Sequence, residues 1–174
     1  MGKITRPAPV KLISGLIYTS DNAYARAKAS LERRFGPADL ESQPIPFDFT
    51  DHYTIEMGSG LTRRFLSFKR LMDPQRLALI KVWTNRLEEK LSVKGRRAVN
   101  IDPGYVDLAK LVLASTKDFC HRIPMGNGIF GEVTLCYQGK SFRSWELTYP
   151  DFRTPAYIEF FNTVRQLYAE QTRH

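Results

Sequence analysis

Two strand-then-helix units occupy the first half of the chain, and they constrain the fold more than any other feature. In the first, an apolar run over residues 10–19 predicts a strand, and Ser20-Asp21 follows it as a helix cap. In the second, a strand is predicted over 61–71, and Asp73-Pro74 then opens the clearest helix of the sequence. Chains that alternate strands and amphipathic helices bury their apolar faces by packing the helices against a sheet.

Strand patterns dominate the second half of the chain. A strand is predicted over 97–101, and Asp102-Pro103-Gly104 is expected to end it. The apolar run 108–115 suits either a buried strand or a short helix, and a strand is favoured. Further strands are predicted over 119–123, 129–137 and 142–148, and Thr154-Pro155 opens a last helix. The whole pattern predicts an α+β fold, with about three helices on a largely antiparallel or mixed sheet. Its first half suits a ferredoxin-like arrangement, and a C-terminal β-meander and a final helix follow.

The sequence predicts a single domain over residues 1–174. Its 43% apolar and 25% charged residues are typical of soluble domains, and it contains no repeat or Gly/Ser linker. No apolar run approaches the ~20 residues of a membrane span, so we expect no membrane partner. The two cysteines, Cys120 and Cys136, fit a reducing compartment, and a cytoplasmic location is expected.

The net charge of +8 comes from one stretch of the sequence. Residues 61–97 contain eleven Lys and Arg against three acidic residues, so this basic 61–97 region carries the whole excess. Such a concentration attracts phosphates or nucleic acid. Basic residues on a solvated helix face also serve solubility alone, and charge by itself does not separate the two interpretations.

Three familiar site motifs are missing from the sequence. The phosphate-cradling loop Gly-x-x-x-x-Gly-Lys-Ser/Thr is absent. Cys-x-x-Cys and His-Glu-x-x-His are absent too, and Cys120 and His121 are adjacent, so that they would point to opposite faces of a strand. A P-loop enzyme and a structural zinc site are therefore not expected.

The candidate catalytic residues are His121 and Glu132. On the predicted strand 119–123, His121 shares a face with Phe119 and Ile123, while Glu132 lies on the next strand. If those two faces coincide, the carboxylate orients the imidazole as a general acid or base. The alternative is a core histidine that one hydrogen bond satisfies.

Other polar residues near the predicted strand ends and in the irregular segment 38–60 are the candidate ligand-binding groups. Lys117 and Arg122 are cations suited to a phosphate, although pairing with surface carboxylates is the simpler alternative. Asp102 is the residue expected to hold Mg²⁺ if the site depends on that metal, although Asp102-Pro103-Gly104 also makes an ordinary turn. The full set of predicted ligand-binding residues is Tyr53, Glu56, Asn100, Asp102, Lys117 and Arg122.

Several strings of the sequence resemble one bacterial family, the domain-of-unknown-function family forty-four sixteen. They include Pro9-Val10-Lys11-Leu12-Ile13-Ser14-Gly15, Trp83-Thr84-Asn85-Arg86-Leu87-Glu88, Asn100-Ile101-Asp102-Pro103-Gly104-Tyr105, Leu113-Ala114-Ser115-Thr116-Lys117-Asp118 and Gly128-Ile129-Phe130-Gly131-Glu132-Val133-Thr134-Leu135. The resemblance runs through nearly the whole chain. It implies kinship and brings no activity, substrate or catalytic residue to carry over.

Three functional hypotheses follow from the sequence. The first is a small cytoplasmic protein that binds a phosphate-bearing ligand, a nucleotide or an RNA end, with acid-base chemistry at His121 and Glu132. The second is a non-enzymatic RNA-binding module that uses the basic 61–97 region, including Arg63, Arg64, Lys69, Arg76, Lys81, Arg86, Arg96 and Arg97. The third is a protein-interaction domain with an exposed apolar patch along Phe160, Phe161 and Tyr168.

Overall fold

The computed structural model describes residues 2–50 and 53–173. Within them, nine strands form one antiparallel sheet in the order β2-β4-β1-β5-β6-β8-β7, with β3 beside β4 and β9 beside β8. The strands are β1 (Val10–Tyr18), β2 (Ala38–Glu41), β3 (Ile45–Pro46), β4 (Thr62–Met72), β5 (Val99–Val106), β6 (Lys110–Ser115), β7 (Ile123–Gly126), β8 (Ile129–Gln138) and β9 (Ser141–Arg143). The helices are α1 (Asp21–Phe35), the single turn α2 (Thr54–Met57), α3 (Leu77–Leu91) and α4 (Pro155–Gln171), with 3₁₀ turns at Pro74–Arg76 and Asp151–Arg153. The predicted α+β class is confirmed.

The first hundred residues have the ferredoxin-like arrangement that the sequence predicts. The elements β1, α1, β2, β4, α3 and β5 follow one another as β-α-β-β-α-β, and their strands lie in the order β2-β4-β1-β5. Side chains of β1 alternate between the two faces of the sheet. Leu16 packs with Tyr24 of α1 and Leu87 of α3, whereas Ile13 packs with Phe161 of α4. The sheet therefore lies between α1 and α3 on one face and α4 on the other.

The last helix covers its face of the sheet with the residues that the third hypothesis places at the surface. Phe161 is fully buried and Tyr168 nearly so, and Phe160 stacks on Phe65 of β4 with ring centroids 5.5 Å apart. The predicted exposed patch along this helix is therefore wrong, because the sheet uses the same apolar residues as its core.

The C-terminal strands do not form the predicted simple meander. β8 pairs with β6 along one side, and on its other side β7 and β9 pair with its two ends. The segment predicted as a strand over 119–123 is a turn that leads into β7, and the strand predicted over 142–148 is limited to β9. The Met125–Gly128 region makes the predicted turn between β7 and β8.

β5 runs straight through Asp102-Pro103-Gly104, which the sequence predicts to end it. Peptide groups of a strand point alternately to its two neighbours, so the N–H that Pro103 lacks would point to the same side as that of Ile101. Among the described residues, β6 pairs with β5 over Gly104–Val106 but not at these two residues. Proline therefore removes no ladder hydrogen bond here, and the strand continues.

Candidate functional site

A cleft opens where β5 and β6 diverge. Beyond the paired segment Gly104–Val106, the first half of β5 and the end of β6 separate, and a space of about 900 Å³ lies between them. Helix α3, the residues 113–117 and the loop 149–152 supply its walls, together with Phe47, Phe49, Thr50, Tyr53 and Glu56. Its volume lies in the range of small-molecule sites, which is about 300–1,000 Å³.

Where β6 no longer pairs with β5, two side chains of α3 bind the peptide groups of β5 instead. Lys81 Nζ donates to the carbonyl oxygen of Ile101 at 2.8 Å, and Glu88 Oε1 accepts from the Ile101 amide at 2.7 Å. Both side chains lie on one face of the helix, seven residues apart, and both are buried. The peptide groups of β5 are thus satisfied at the cleft by charged side chains, which remain as its lining.

Asp102 is the central carboxylate of the cleft. Its Oδ2 accepts from Asn100 Nδ2 at 2.8 Å, its Oδ1 lies 3.4 Å from Lys81 Nζ, and Arg63 Nη1 approaches Oδ2 at 3.8 Å. A quarter of the Asp102 side chain is exposed, whereas both cations are nearly inaccessible. Asp102 therefore keeps lone pairs that can accept from a ligand's N–H or O–H groups.

Arg63, which the RNA-binding hypothesis places on a basic surface, is a buried cation of the cleft. Its guanidinium lies 5.0 Å from the Phe47 ring centroid and 5.8 Å from that of Phe152, and Nη2 pairs with Asp151 Oδ2 at 3.3 Å. The only sequence signal is Gly15 on the neighbouring strand, since a Cβ there would lie 2.7 Å from Arg63 Nη1. Glycine at that position leaves the space that the guanidinium fills.

A second ion cluster, around Arg97, holds Tyr53 and Glu56 against the cleft. Arg97 Nη1 donates to Glu88 Oε2 at 3.0 Å and to Asn100 Oδ1 at 2.9 Å, and Nη2 pairs with Glu56. Its guanidinium also lies 5.7 Å from the ring centroid of Tyr53. Burial alone would lower the pKa of Arg97, but its bonds to Glu88 and Glu56 raise that pKa overall. Arg97 is therefore a charged anchor of this wall.

Arg122 and Glu132 form the opposite wall. Arg122 Nε donates to Glu132 Oε2 at 2.7 Å, its Nη1 donates to the Lys117 carbonyl at 2.7 Å, and Nη2 contacts the Tyr149 hydroxyl. Only 5% of the Arg122 side chain and 3% of the Glu132 side chain are exposed. Through these contacts the buried pair fixes both the turn that carries Lys117 and the position of the Tyr149 ring.

His121 lies behind Glu132. Its Nε2 is 2.9 Å from Glu132 Oε2, the same oxygen that Arg122 contacts. The imidazole packs edge-on between Phe119 and Trp145, and the described residues that line the cleft do not include it. The structure therefore brings His121 and Glu132 together as the sequence predicts, but only the carboxylate faces the cleft.

Most of the predicted site residues converge on this one cleft. The residues that line it include Tyr53, Glu56, Asn100, Asp102, Lys117, Arg122 and Glu132. Their roles stay predictions. In the described part of the chain no group of three or more His, Cys, Asp or Glu side chains is arranged to hold a metal ion, so Mg²⁺ at Asp102 also stays a prediction.

Four cations of the basic 61–97 region are not free surface charges. Arg63 and Lys81 are buried in the cleft, Arg64 pairs with Glu41, and Arg97 pairs with Glu88. The exposed cations left in this region are Lys69, Arg70, Arg76, Arg86, Lys90, Lys94 and Arg96. The surface available to the RNA-binding alternative is correspondingly smaller than the sequence implies.

The letters Gly-x-Gly-x-x-Gly occur at residues 126–131, in a context that does not fit a dinucleotide site. That motif works at a turn from a strand into a helix, where the helix N-terminus faces the phosphates. Here the residues form the hairpin between β7 and β8. At Gly131 the missing side chain makes room for Met125, because a Cβ would lie 2.5 Å from its Sδ.

Two buried carboxyl groups of the cleft have raised pKa values. Burial raises the pKa of Asp151 and outweighs the charge of Arg63, and burial likewise raises the pKa of Glu88 against the effect of Lys81. In each case the folded protein binds the proton more tightly than the unfolded chain does. Tighter proton binding by the folded state therefore adds to the free energy of unfolding. This contribution is complete below the ordinary carboxyl pKa, and it is lost as the pH rises through the raised pKa of the folded state.

We expect this effect to appear in Asp151→Asn. The free energy of unfolding of the unsubstituted protein, minus that of the variant, should fall as the pH rises from about 4, near the ordinary Asp pKa, through the raised pKa of Asp151. Above that pKa the difference should be constant. Urea unfolding at a series of pH values measures it. Glu88→Gln should give the same sign, and a difference that grows with pH would contradict the assignment.

No described helix has both the length and the apolar character needed to cross a membrane. No curated protein and no solved structure matches the chain. One family model does match, that of DUF4416, described as a domain of unknown function, and it covers residues 8–168. This span contains both strand-then-helix units, the cleft and almost all of α4, and the chain therefore belongs to the domain-of-unknown-function family DUF4416.

Proposed function

We propose that the cleft binds a phosphate-bearing small molecule, and that a nucleotide is the chemical class that fits it best. The observation that carries the proposal is the presence of Lys117, Arg122 and Asp102 on the walls of one space of about 900 Å³. Lys and Arg neutralise phosphate oxygens, while a carboxylate accepts from sugar hydroxyls and base amino groups.

The balance of charge supports a ligand of mixed character. Among the described residues that line the cleft, six are carboxylates and five are cations. Four of the cations already have carboxylate partners, which disfavours a ligand that is anionic throughout. A nucleotide presents negative charge at one end and hydrogen-bond donors at the other. Its base also suits the aromatic residues Phe49, Tyr53 and Tyr149 on the cleft wall.

In this proposal Glu132 is the group that transfers protons, and His121 positions it. Glu132 lines the cleft, whereas His121 contacts the far side of the same carboxylate. This differs from the sequence-based hypothesis, in which the imidazole itself reaches the substrate. Arg122 Nε donates to Glu132 Oε2 and His121 Nε2 lies 2.9 Å from the same oxygen, so both contacts hold the carboxylate in position beside the cleft.

The test is isothermal titration calorimetry with 5′-mononucleotides, the matching nucleosides, sugar phosphates and inorganic phosphate, each with and without Mg²⁺. We expect Lys117→Ala to weaken mononucleotide binding about tenfold, because one charge-assisted contact to phosphate is lost. Nucleoside binding should be weaker and should not respond to Lys117→Ala. Lys140→Ala, which removes an exposed lysine outside the cleft lining, is the matched control.

The proposal fails if none of the phosphate-bearing compounds binds, or if Lys140→Ala weakens binding as much as Lys117→Ala does. Dependence of affinity on Mg²⁺ that disappears in Asp102→Asn would place the metal at Asp102. Equal affinity with and without Mg²⁺ would remove the metal from the proposal.

A further inference from the structure

Exposed aromatic and apolar side chains gather beside the cleft. In residues 2–50 and 53–173, nine large hydrophobic side chains are exposed, and four of them lie between residues 119 and 149. They are Phe119 (58% exposed), Ile123 (71%), Trp145 (40%) and Tyr149 (43%). Scattered exposed hydrophobic residues need no explanation, but a group next to a polar cleft marks an interaction surface.

The loop that carries Trp145 and Tyr149 is held in a fixed conformation. Thr148 Oγ1 accepts from the Trp145 amide at 3.0 Å and donates to the Thr134 carbonyl at 2.7 Å. Arg153 donates from Nε to the Thr148 carbonyl and from Nη2 to the Glu146 carbonyl, both at 2.8 Å. The loop is therefore ordered while two of its aromatic rings stay in contact with water. A fixed platform of this kind loses little conformational entropy when it binds a ligand.

This aromatic group is continuous with the cleft wall. Phe119 and Trp145 both pack on His121, with ring centroids 5.5 and 5.8 Å away, and His121 contacts Glu132. Tyr149 lines the cleft itself, and the guanidinium of Arg122 lies 5.7 Å from its ring centroid. We call the surface formed by Phe119, Trp145 and Tyr149 the aromatic rim. His121 and Glu132 thus connect Phe119 and Trp145 of the rim to the cleft wall.

Cations accompany the aromatic rim. Lys117, Arg143 and Arg153 are exposed on the segments that carry it, two residues or four residues from a rim aromatic. Aromatic rings that accept stacked bases, beside cations that follow a phosphate backbone, are the two components of single-stranded nucleic-acid sites. A duplex does not fit this pattern, because its bases are already stacked on each other and their faces are not available.

We propose that the ligand of the cleft is the end of a single-stranded nucleic acid, and that its next nucleotides lie on the aromatic rim. This inference rests on the proposed function, since the terminal nucleotide occupies the cleft described above. It adds the substrate class: a strand with unpaired bases rather than a free nucleotide.

The experiment compares three unlabelled probes by calorimetry: a mononucleotide, an unpaired oligonucleotide of about six nucleotides of the same base, and a fully paired hairpin. We expect the oligonucleotide to bind at least about tenfold more tightly than the mononucleotide, and the hairpin to bind no better than the mononucleotide. Trp145→Ala and Phe119→Ala should reduce oligonucleotide affinity towards that of the mononucleotide and leave mononucleotide binding unchanged.

Two controls keep the result interpretable. Trp145→Phe retains a ring for stacking and is expected to keep oligonucleotide affinity within about threefold, so it separates loss of stacking from loss of folding. Leu79→Ala removes an exposed apolar side chain of α3, and it should leave all three affinities unchanged.

Equal binding of the mononucleotide and the oligonucleotide overturns this inference and leaves the proposed function standing. Oligonucleotide binding that a mononucleotide neither shares nor competes with contradicts the proposed function, and with it the placement of the strand end in the cleft. Failure of all three probes overturns both.

Discussion

Replacing Gly104 by alanine is expected to lower the free energy of unfolding by about 3 kcal/mol, one of the two largest effects expected in this protein. The Cβ of an alanine would lie 2.3 Å from the carbonyl oxygen of Val112 and 2.7 Å from Leu113 Cδ2. The first of these is a backbone atom of β6, so the clash is relieved only if β5 and β6 move apart. Denaturant unfolding measures the loss, and ligand binding should weaken too, because the cleft begins where this pairing ends.

Gly131→Ala is the matched control for that prediction. Its Cβ would also be too close to a neighbour, at 2.5 Å from Met125 Sδ, but a thioether at the end of a flexible side chain can move. We expect a loss of about 1 kcal/mol or less. Equal losses in Gly104→Ala and Gly131→Ala would show that the close approach of the β6 backbone does not determine the effect.

Replacing Glu132 by alanine is the second prediction with a large expected effect. The variant leaves the guanidinium of Arg122 buried without its carboxylate, and removal of one partner from a buried ion pair costs about 3–5 kcal/mol. His121 loses its contact in the same step. We expect a loss of about 3 kcal/mol in the free energy of unfolding, together with loss of mononucleotide binding, measured by urea unfolding and calorimetry.

Glu146→Ala tests whether this loss is specific. Glu146 is exposed in the neighbouring loop, so we expect a change within about 0.5 kcal/mol. In addition, Glu132→Met combined with Arg122→Met should be more stable than Glu132→Ala, because the pair is removed as a unit and no buried charge remains. A double variant less stable than the single variant would contradict a role for the uncompensated charge.

The strands β1 and β4 and the helices α1 and α3 could be predicted because local signals and packing agree there, whereas β2 lies in the segment 38–60 that the sequence predicts to be irregular. Ser20 caps α1 by accepting from the Ala23 amide, and Asp73 accepts from Gln75 at the turn before α3. The apolar run of β1 is buried on both faces, as a strand between two helical layers requires. These elements depend on signals from neighbouring residues in the sequence, so the local pattern was sufficient to predict them.

The site could be predicted only in part, because its geometry depends on a divergence of strands that no local pattern contains. Asp102-Pro103-Gly104 has turn-forming residues, yet β1 holds it as a strand and Gly104 admits the backbone of β6. The RNA-binding hypothesis counts Lys81 among the surface cations of the basic 61–97 region, but its ammonium is buried and donates to the Ile101 carbonyl of β5. A lysine that bonds a distant carbonyl cannot be recognised from periodicity.

A bulge in β8 changes which of its side chains share a face. In a regular strand alternate residues of 129–137 would lie on one face, but Thr134 is an extra residue opposite Leu111 and Val112 of β6. Residues before the bulge, such as Ile129, pack towards α3, whereas Leu135 after it packs towards α4. The contact of His121 with Glu132 is present although 119–123 is a turn and not the strand on which the prediction depended.

The bonding of Ile101 to side chains instead of to a strand gives one peptide group of the sheet an unusual kind of protection. The hydrogen bond of the Ile101 amide breaks when the Glu88 side chain rotates away. The hydrogen bond of an amide paired between two strands breaks only when the strands separate. Solvent exchange at Ile101 is therefore controlled by the same carboxylate that lines the cleft. We expect a ligand bound in the proposed site to change hydrogen exchange at this amide, because Glu88 both lines the cleft and accepts from Ile101.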